Sequence, residues 1–365
     1  MKTSCTQERL RAAVDIAERV VGKKESLPVL SCILLEAKGK ALYVRATNLE
    51  TGIEIAVPAE VMQEGVVAVP VGVFSHTVRT SRAEKIELSL DGQNLSIRSP
   101  HGETTLRTIA HDEFPSIPKE TEGDAYQLSP KALLDGISAV AYAASQSMIR
   151  PELASILITA QDGTLTFAAT DSFRLAEKRI PARAASIPDT LLPVKNALEL
   201  THVLSALPDE PIECRFSDSQ LSVTAGTIYF MSRIVDATFP QYQAIIPKEF
   251  MTEAVLLKED LNTTMKKARI FSAGTQQIGF HVYPSKKSFT ATARTADIGE
   301  TSDSIDAALE GSDLDINFNL QYLSDCFSSI RADSVSLQFG GLGKALVIKG
   351  VSDPTFLYLV MPLNR

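Results

Sequence analysis

The feature that most constrains the fold is an internal repeat. The segment Pro28 to Asn48 recurs about 123 residues later: Pro28, Leu30, Ile33, Leu34, Ala37, Leu42, Ala46 and Thr47 fall on Pro151, Leu153, Ile156, Leu157, Ala160, Leu165, Ala169 and Thr170. A fainter third copy runs from Ile278 to Thr295. Each copy alternates apolar and polar residues on either side of a turn rich in Gly, Asp, Lys or Ser, which is the pattern of a β-hairpin. A lone hairpin cannot bury its apolar face. Each copy therefore needs a larger unit around it, and 365 residues accommodate three such units.

Each unit reads as helix, strands, helix, strands. In the first, Leu10, Ala13, Val14, Ala17, Val20 and Val21 lie at helical spacing, and a second stripe follows at Val73, Phe74, Thr77 and Val78. Strands are expected at Lys85–Leu90, Asn94–Ser99 and Thr104–Ala110. The second unit has a helix from Pro130 to Ala144, the segment LLPVKNALELTHVL in the slot of the second helix, and strands ending near Ile234. The third has helices at Lys258–Phe271 and Leu320–Ile330. The closing motif FPQYQAIIP repeats EFPSIP, so that Phe239 and Pro240 follow Phe114 and Pro115 by about 125 residues. The expected fold class is α+β, with three repeated domains at 1–123, 124–248 and 249–365, each carrying two helices and two antiparallel sheets.

The motifs of catalysis are missing. His76, His101, His111, His202 and His281 are scattered, with no acidic pair at metal-ligand spacing. Gly340 to Lys344 imitates the end of a phosphate-binding loop, but Gln338 replaces the first glycine and Ala345 the Ser or Thr. A hairpin turn is expected there. The SxxK string at Ser116 to Lys119 lies in a Pro-flanked linker. Cys5, Cys32, Cys214 and Cys326 have no CxxC spacing and read as buried free thiols. With neither a signal-peptide core nor a membrane-length apolar run, a cytoplasmic protein is expected.

Charge is segregated. The six helical windows carry 16 Lys or Arg against 9 Asp or Glu, whereas the whole chain has a net charge of −8. One reading is that cations gather at helix C-termini to offset the macrodipole. The other is a basic track for a phosphate backbone on an acidic body, strongest at Arg79, Arg82, Lys266, Lys267 and Arg269. A repeat scaffold that binds only proteins is the alternative, and a common hole lined by the helix cations would separate the two. A hydrolase with an unrecognised site is a third class.

Seven segments in order resemble one family, the bacterial DNA polymerase III beta subunit or sliding clamp. They are LPVLSCILLEA (Leu27–Ala37), ATN (Ala46–Asn48), ATDSFRLA (Ala169–Ala176), LPVKNALEL (Leu192–Leu200), FPQYQAIIP (Phe239–Pro247), FNLQYL (Phe318–Leu323) and the terminal VMPLNR. The resemblance implies the DNA clamp fold, a head-to-tail homodimer closed into a ring around double-stranded DNA, no catalysis and no cofactor or metal. Its implied protein partners are the DNA polymerase III alpha subunit, the clamp loader and other proteins with clamp-binding motifs. It implies a peptide pocket of Leu153, Thr170, Phe173, Arg174, Leu175, Pro240, Ile245, Asn319, Tyr322, Leu342, Val360, Met361, Pro362 and Leu363, in which Arg174 and Asn319 orient the peptide. DNA-facing cations are expected at Lys23, Lys24, Arg79, Arg82, Arg150, Lys195, Lys266, Lys267 and Arg269, and a dimer interface at Leu106, Ile270 and Phe271. Phe173 stands where many relatives carry His and Ala244 where a basic residue is common, which implies a more apolar pocket. The third hairpin departs most, with Lys286 and Lys287 in its turn.

Overall fold

The computed structural model describes residues 1–22, 27–120, 124–182, 186–272 and 274–363. Six α-helices occur in the described residues: α1 (Gln7–Val20), α2 (Val71–Thr80), α3 (Pro130–Val140), α4 (Val194–Ser205), α5 (Lys258–Phe271) and α6 (Leu320–Asp325). The chain divides into two compact units, one of Met1–Leu134 with Lys195–Asp236 and one of Asp135–Val194 with Ala237–Arg365.

In the first unit α1 buries Leu10, Ala13, Val14, Ala17 and Val20, as its spacing predicts. Strand Lys2–Thr6 precedes it, where the sequence reading had only the helix. A five-stranded sheet runs in the order Glu60–Gln63, Lys2–Thr6, Lys85–Asp91, Asn94–Ser99, Gly102–Arg107. The last strand begins and ends earlier than expected, and Ile109 keeps only a bridge to Ala68. The other sheet has eight strands: Ala125–Leu128, Ile212–Phe216, Gln220–Ala225, Ile228–Arg233, Thr51–Pro58, Ala41–Thr47, Cys32–Lys38 and Gly65–Pro70.

The second unit holds a nine-stranded sheet: Ile187–Pro193, Ser155–Gln161, Thr164–Thr170, Arg174–Pro181, Asp353–Val360, Leu346–Gly350, Ser334–Phe339, Thr252–Leu257 and Ala307–Gly311. Its four-stranded sheet runs Gly299–Ser304, Ser288–Thr295, Gln277–Tyr283, Leu314–Asn319. The helix expected at Leu320–Ile330 is α-helical only to Asp325 and tightens to a 3₁₀ turn over Cys326–Ser329. The helix expected to reach Ala144 does the same over Ala141–Ala143.

All three hairpins form. In the second, Asp162 (φ 49°) and Gly163 (φ 73°) make a two-residue turn with positive φ at both positions, the geometry that matches strand twist. The third turns through a 3₁₀ segment, Pro284–Lys286, with Lys287 left-handed, so its divergence in sequence is a longer turn rather than a lost hairpin. Gly340–Lys344 is a hairpin turn, as expected.

The sheets do not respect the repeats. The last strand of repeat two, Ile228–Arg233, pairs with Thr51–Pro58 of repeat one, from Ile228↔Ile55 to Ser232↔Thr51. The last strand of repeat three, Asp353–Val360, pairs in the same way with Arg174–Pro181 of repeat two. The two large antiparallel sheets are continuous across repeats, because each repeat ends in a strand whose free edge must find a partner. The counterparts of these paired strands in the end repeats lie at sheet edges: Gly102–Arg107, the last of repeat one, and Gly299–Ser304, which follows the third hairpin.

Equivalent carboxylates tie down the segments that close repeats one and two. Glu54 accepts hydrogen bonds from Lys119 Nζ (2.7 Å) and Arg45 Nε (2.5 Å). Glu177, 123 residues later in sequence, accepts from the Tyr242 hydroxyl at 2.6 Å and lies 2.9 Å from Arg179. Burial and then the bond to Glu177 push the Tyr242 hydroxyl well above its ordinary value.

Candidate docking groove and nucleic-acid interface

In the second unit, three pieces of chain leave the same end of the nine-stranded sheet. The turn Asp171–Phe173 leads into Arg174, which pairs with Val360, and Val360 pairs on its other side with Leu346, just after the turn containing Leu342. The tail continues from Val360. Its backbone is held at both ends: Met361 N–H donates to Phe173 O (2.8 Å) and Leu363 N–H to Asn317 O (2.8 Å) on the four-stranded sheet. Asn317 and Asn319 end the strand that feeds α6, and Asn319 Oδ1 caps that helix by accepting from Gln321 N–H (2.9 Å) and Tyr322 N–H (3.1 Å).

Around this junction large apolar side chains stand open: Phe173 is 61% exposed and Leu342 71%, with Met361 and Leu363 partly open, while Ile245 in the closing segment of repeat two is 59% exposed. Clustered exposed apolar side chains are a feature of contact surfaces, which makes this junction a candidate docking site. Leu153, Leu175 and Val360 are buried. Thr170 is buried too; its hydroxyl donates to Arg174 O at 2.7 Å and accepts from Ser172 N–H, fixing a turn in which Ser172 has φ 79°. Pro240 is half-buried in the closing segment, two residues before buried Tyr242.

Arg174 is engaged within the chain. It is 8% exposed, and its guanidinium pairs with Asp171 (3.0 Å) and Asp325 (2.5 Å) while lying 4.3 Å from the Tyr322 ring centroid. Burial by itself disfavours this cation, but the Tyr358 hydroxyl and the two carboxylates more than offset it. Asn319 is likewise engaged as the helix cap. Asp171 and Asp325 were missed in the sequence. The Asx-turn pattern of Asp-Ser-Phe could have marked Asp171, which accepts from Phe173 and Arg174 N–H, whereas Asp325 meets its arginine from 151 residues away.

The helix cations fall into two groups. Arg79 bridges Asp15 (2.6 Å) and Glu18 (2.5 Å) of α1, Lys267 pairs with Asp303 (2.6 Å), Arg150 with Glu152 (2.9 Å), and Arg269 donates to Gln321 (3.1 Å). Arg82, Lys195 and Lys266 are exposed and make no ion pair among the described residues. Lys23 and Lys24 lie outside the described residues. Solvent-exposed pairs of the first group are weak and exchangeable, so both groups can meet phosphate.

At the free sheet edges, α2 backs Gly102–Arg107 and α5 backs Gly299–Ser304. Ile270 is 60% exposed at the end of α5 and Phe271 half-buried. Leu106 is buried in its own sheet. Val73, assigned above to an inward stripe, is instead 55% exposed on α2. The four cysteines are buried and free, and burial pushes the Cys5 thiol up to about 11 and Cys214 to about 12, values that suit inert core groups.

Three family models match the chain in series: the N-terminal domain of the DNA polymerase III beta subunit over residues 1–118, its central domain over 127–241 and its C-terminal domain over 243–364. The chain is 26% identical over 357 residues to the beta sliding clamp of Staphylococcus epidermidis, covering 95% of this chain and 94% of that one. It is 25% identical over 373 residues to that of Synechococcus elongatus, covering 100% and 99%. The crystal structure of the DNA polymerase III beta subunit from Thermotoga maritima matches with a TM-score of 0.95 at 28% identity, over 100% of this chain and 99% of that one. Family models from end to end, full-length relatives and a shared fold carry one conclusion: this chain belongs to the DNA polymerase III beta subunit family, the bacterial sliding clamps.

Proposed function

We propose that the chain acts as a processivity clamp: two copies close head to tail into a ring around double-stranded DNA and tether the replicative polymerase and other factors through the groove at Phe173 and the tail. The family is non-enzymatic, and the alternative of a scaffold that binds only proteins is not favoured. Domain boundaries at 1–123, 124–248 and 249–365 and a cytoplasmic location go with this reading; among the described residues no helix is long and apolar enough to cross a membrane.

The observation that carries it is the pairing rule. In this chain the last strand of a repeat pairs with the strand after the hairpin of the preceding repeat. Gly102–Arg107 and Gly299–Ser304 are the two strands left over under that rule. Applied between copies, the rule joins repeat one of each subunit to repeat three of the other, a heterologous contact that closes after two copies when the rotation per domain divides a full turn. Ile270, Phe271 and Val73 then seal the helices behind the joined edges. Solution mass at low micromolar concentration tests this. A dimer is expected for the native chain and a monomer after Ile270→Ala with Phe271→Ala; an unchanged dimer in a folded double variant places the interface elsewhere.

A further inference from the structure

Two pieces of the proposed docking surface come from different sheets of the second unit. One is the Asp171–Phe173 turn at the end of the nine-stranded sheet; the other is α6, which follows the last strand of the four-stranded sheet. Arg174 spans them. Its Nε meets Asp171 Oδ2 at 3.0 Å, its Nη1 meets Asp325 Oδ2 at 2.5 Å, and its plane lies against the Tyr322 ring. The second oxygen of Asp325 accepts from Gln321 Nε2 at 2.5 Å, so the carboxylate is fixed to α6 itself. A planar guanidinium held at two of its edges sets distance and angle together, which a point charge on a flexible stem does not.

We infer that Asp325 is a positioning residue for docking: through Arg174 it sets the gap between Phe173 and Tyr322 that a peptide must fill, and Arg174 itself does not receive the peptide's polar groups. The inference rests on the reading of this surface as the docking groove. A ligand carboxylate seeking Arg174 would have to displace Asp325 from a nearly buried guanidinium, 8% exposed. The groove therefore selects by apolar shape across a fixed width, and its acceptance of a peptide depends on a carboxylate that the peptide does not touch.

The test uses the full-length chain and a fluorescently labelled peptide copying a clamp-binding motif of a DNA polymerase III alpha subunit, with affinity and dissociation rate read by anisotropy well below the unfolding temperature. Asp325→Asn and Arg174→Gln should each weaken binding about tenfold, mainly through faster dissociation, and the double variant should be no weaker than the worse single, since one strut is lost in every case. Asp325→Glu, which keeps the carboxylate, should return affinity to within about threefold of native. Asp135→Asn, which breaks the 2.8 Å pair with Arg331 in the same unit, should leave it unchanged. Native or tighter binding by Asp325→Asn would mean that the freed arginine serves the peptide directly, and losses that multiply in the double variant would mean that the two residues act independently; either overturns the inference. Deletion of residues 361–365 separates this from the groove reading: a peptide that still binds the truncated chain overturns the groove itself, whereas one lost on truncation but not in Asp325→Asn overturns the strut alone.

Discussion

Gly136, on α3, faces the ring of Phe167 so closely that a Cβ there would sit 2.1 Å from Cε2. Glycine normally weakens a helix by about 1 kcal/mol relative to alanine, so at this position close packing has overruled propensity. Gly136→Ala should lower the stability of the chain by ~1–3 kcal/mol despite the better helix former, because overpacking a filled core forces side chains off their rotamers. Denaturant midpoints measure it, and a gain in stability would mean that Phe167 has room to turn. A second residue-scale test concerns Glu54. Burial alone would raise its carboxyl, but hydrogen bonds from Lys119 and Arg45 and their charges hold it below the usual value. A carboxyl lowered on folding stabilises the folded state at pH above its unfolded value, about 4.3, and loses that contribution as pH falls through the folded value. Glu54→Gln should therefore cost about 1.5–3 kcal/mol at pH 7, the range for hydrogen bonds to charged groups, with the gap to the native chain narrowing as the pH falls below 4. A constant gap across that range would detach the cost from the charge.

Elements were legible in the sequence where their signal is local. The hairpins announced themselves by alternation and by turn residues able to take positive φ, and α1 by its stripe. Strands such as Glu60–Gln63 and Ala307–Gly311 were not visible, since their burial patterns show mostly exposed residues and their order comes from partners far along the chain. Sharing of sheets between repeats was hidden for the same reason: alternation specifies which face is buried and leaves open which strand lies alongside. At the proposed docking surface the apolar residues are an expectation from resemblance, and the ion pairs that engage Arg174 come from the structure alone. The tail is the element whose removal is most informative. It adds two backbone hydrogen bonds and the side chains of Met361 and Leu363 to a surface that is otherwise complete. Deleting residues 361–365 should weaken a polymerase-derived peptide by at least ~2 kcal/mol, the scale of an anchor contact, while leaving dimer mass unchanged. Equal peptide affinity in a folded, truncated dimer would move the docking site away from the tail.

For the whole molecule, a net charge of −8 and exposed helix cations pull in opposite directions. Phosphate contacts made by so few cations on an acidic protein are weak and are weakened further by salt, so direct affinity is a poor way for this chain to stay on DNA. Encirclement removes the difficulty, since a closed ring leaves only by opening or by reaching an end. The most direct measurement is retention of clamp-loader-assembled protein on nicked circular DNA in high salt, before and after the circle is cut once by a restriction enzyme. A closed ring predicts that the protein stays on the circle through the salt wash and is lost on linearisation; loss from both substrates alike, or persistence on the linear form, would contradict it.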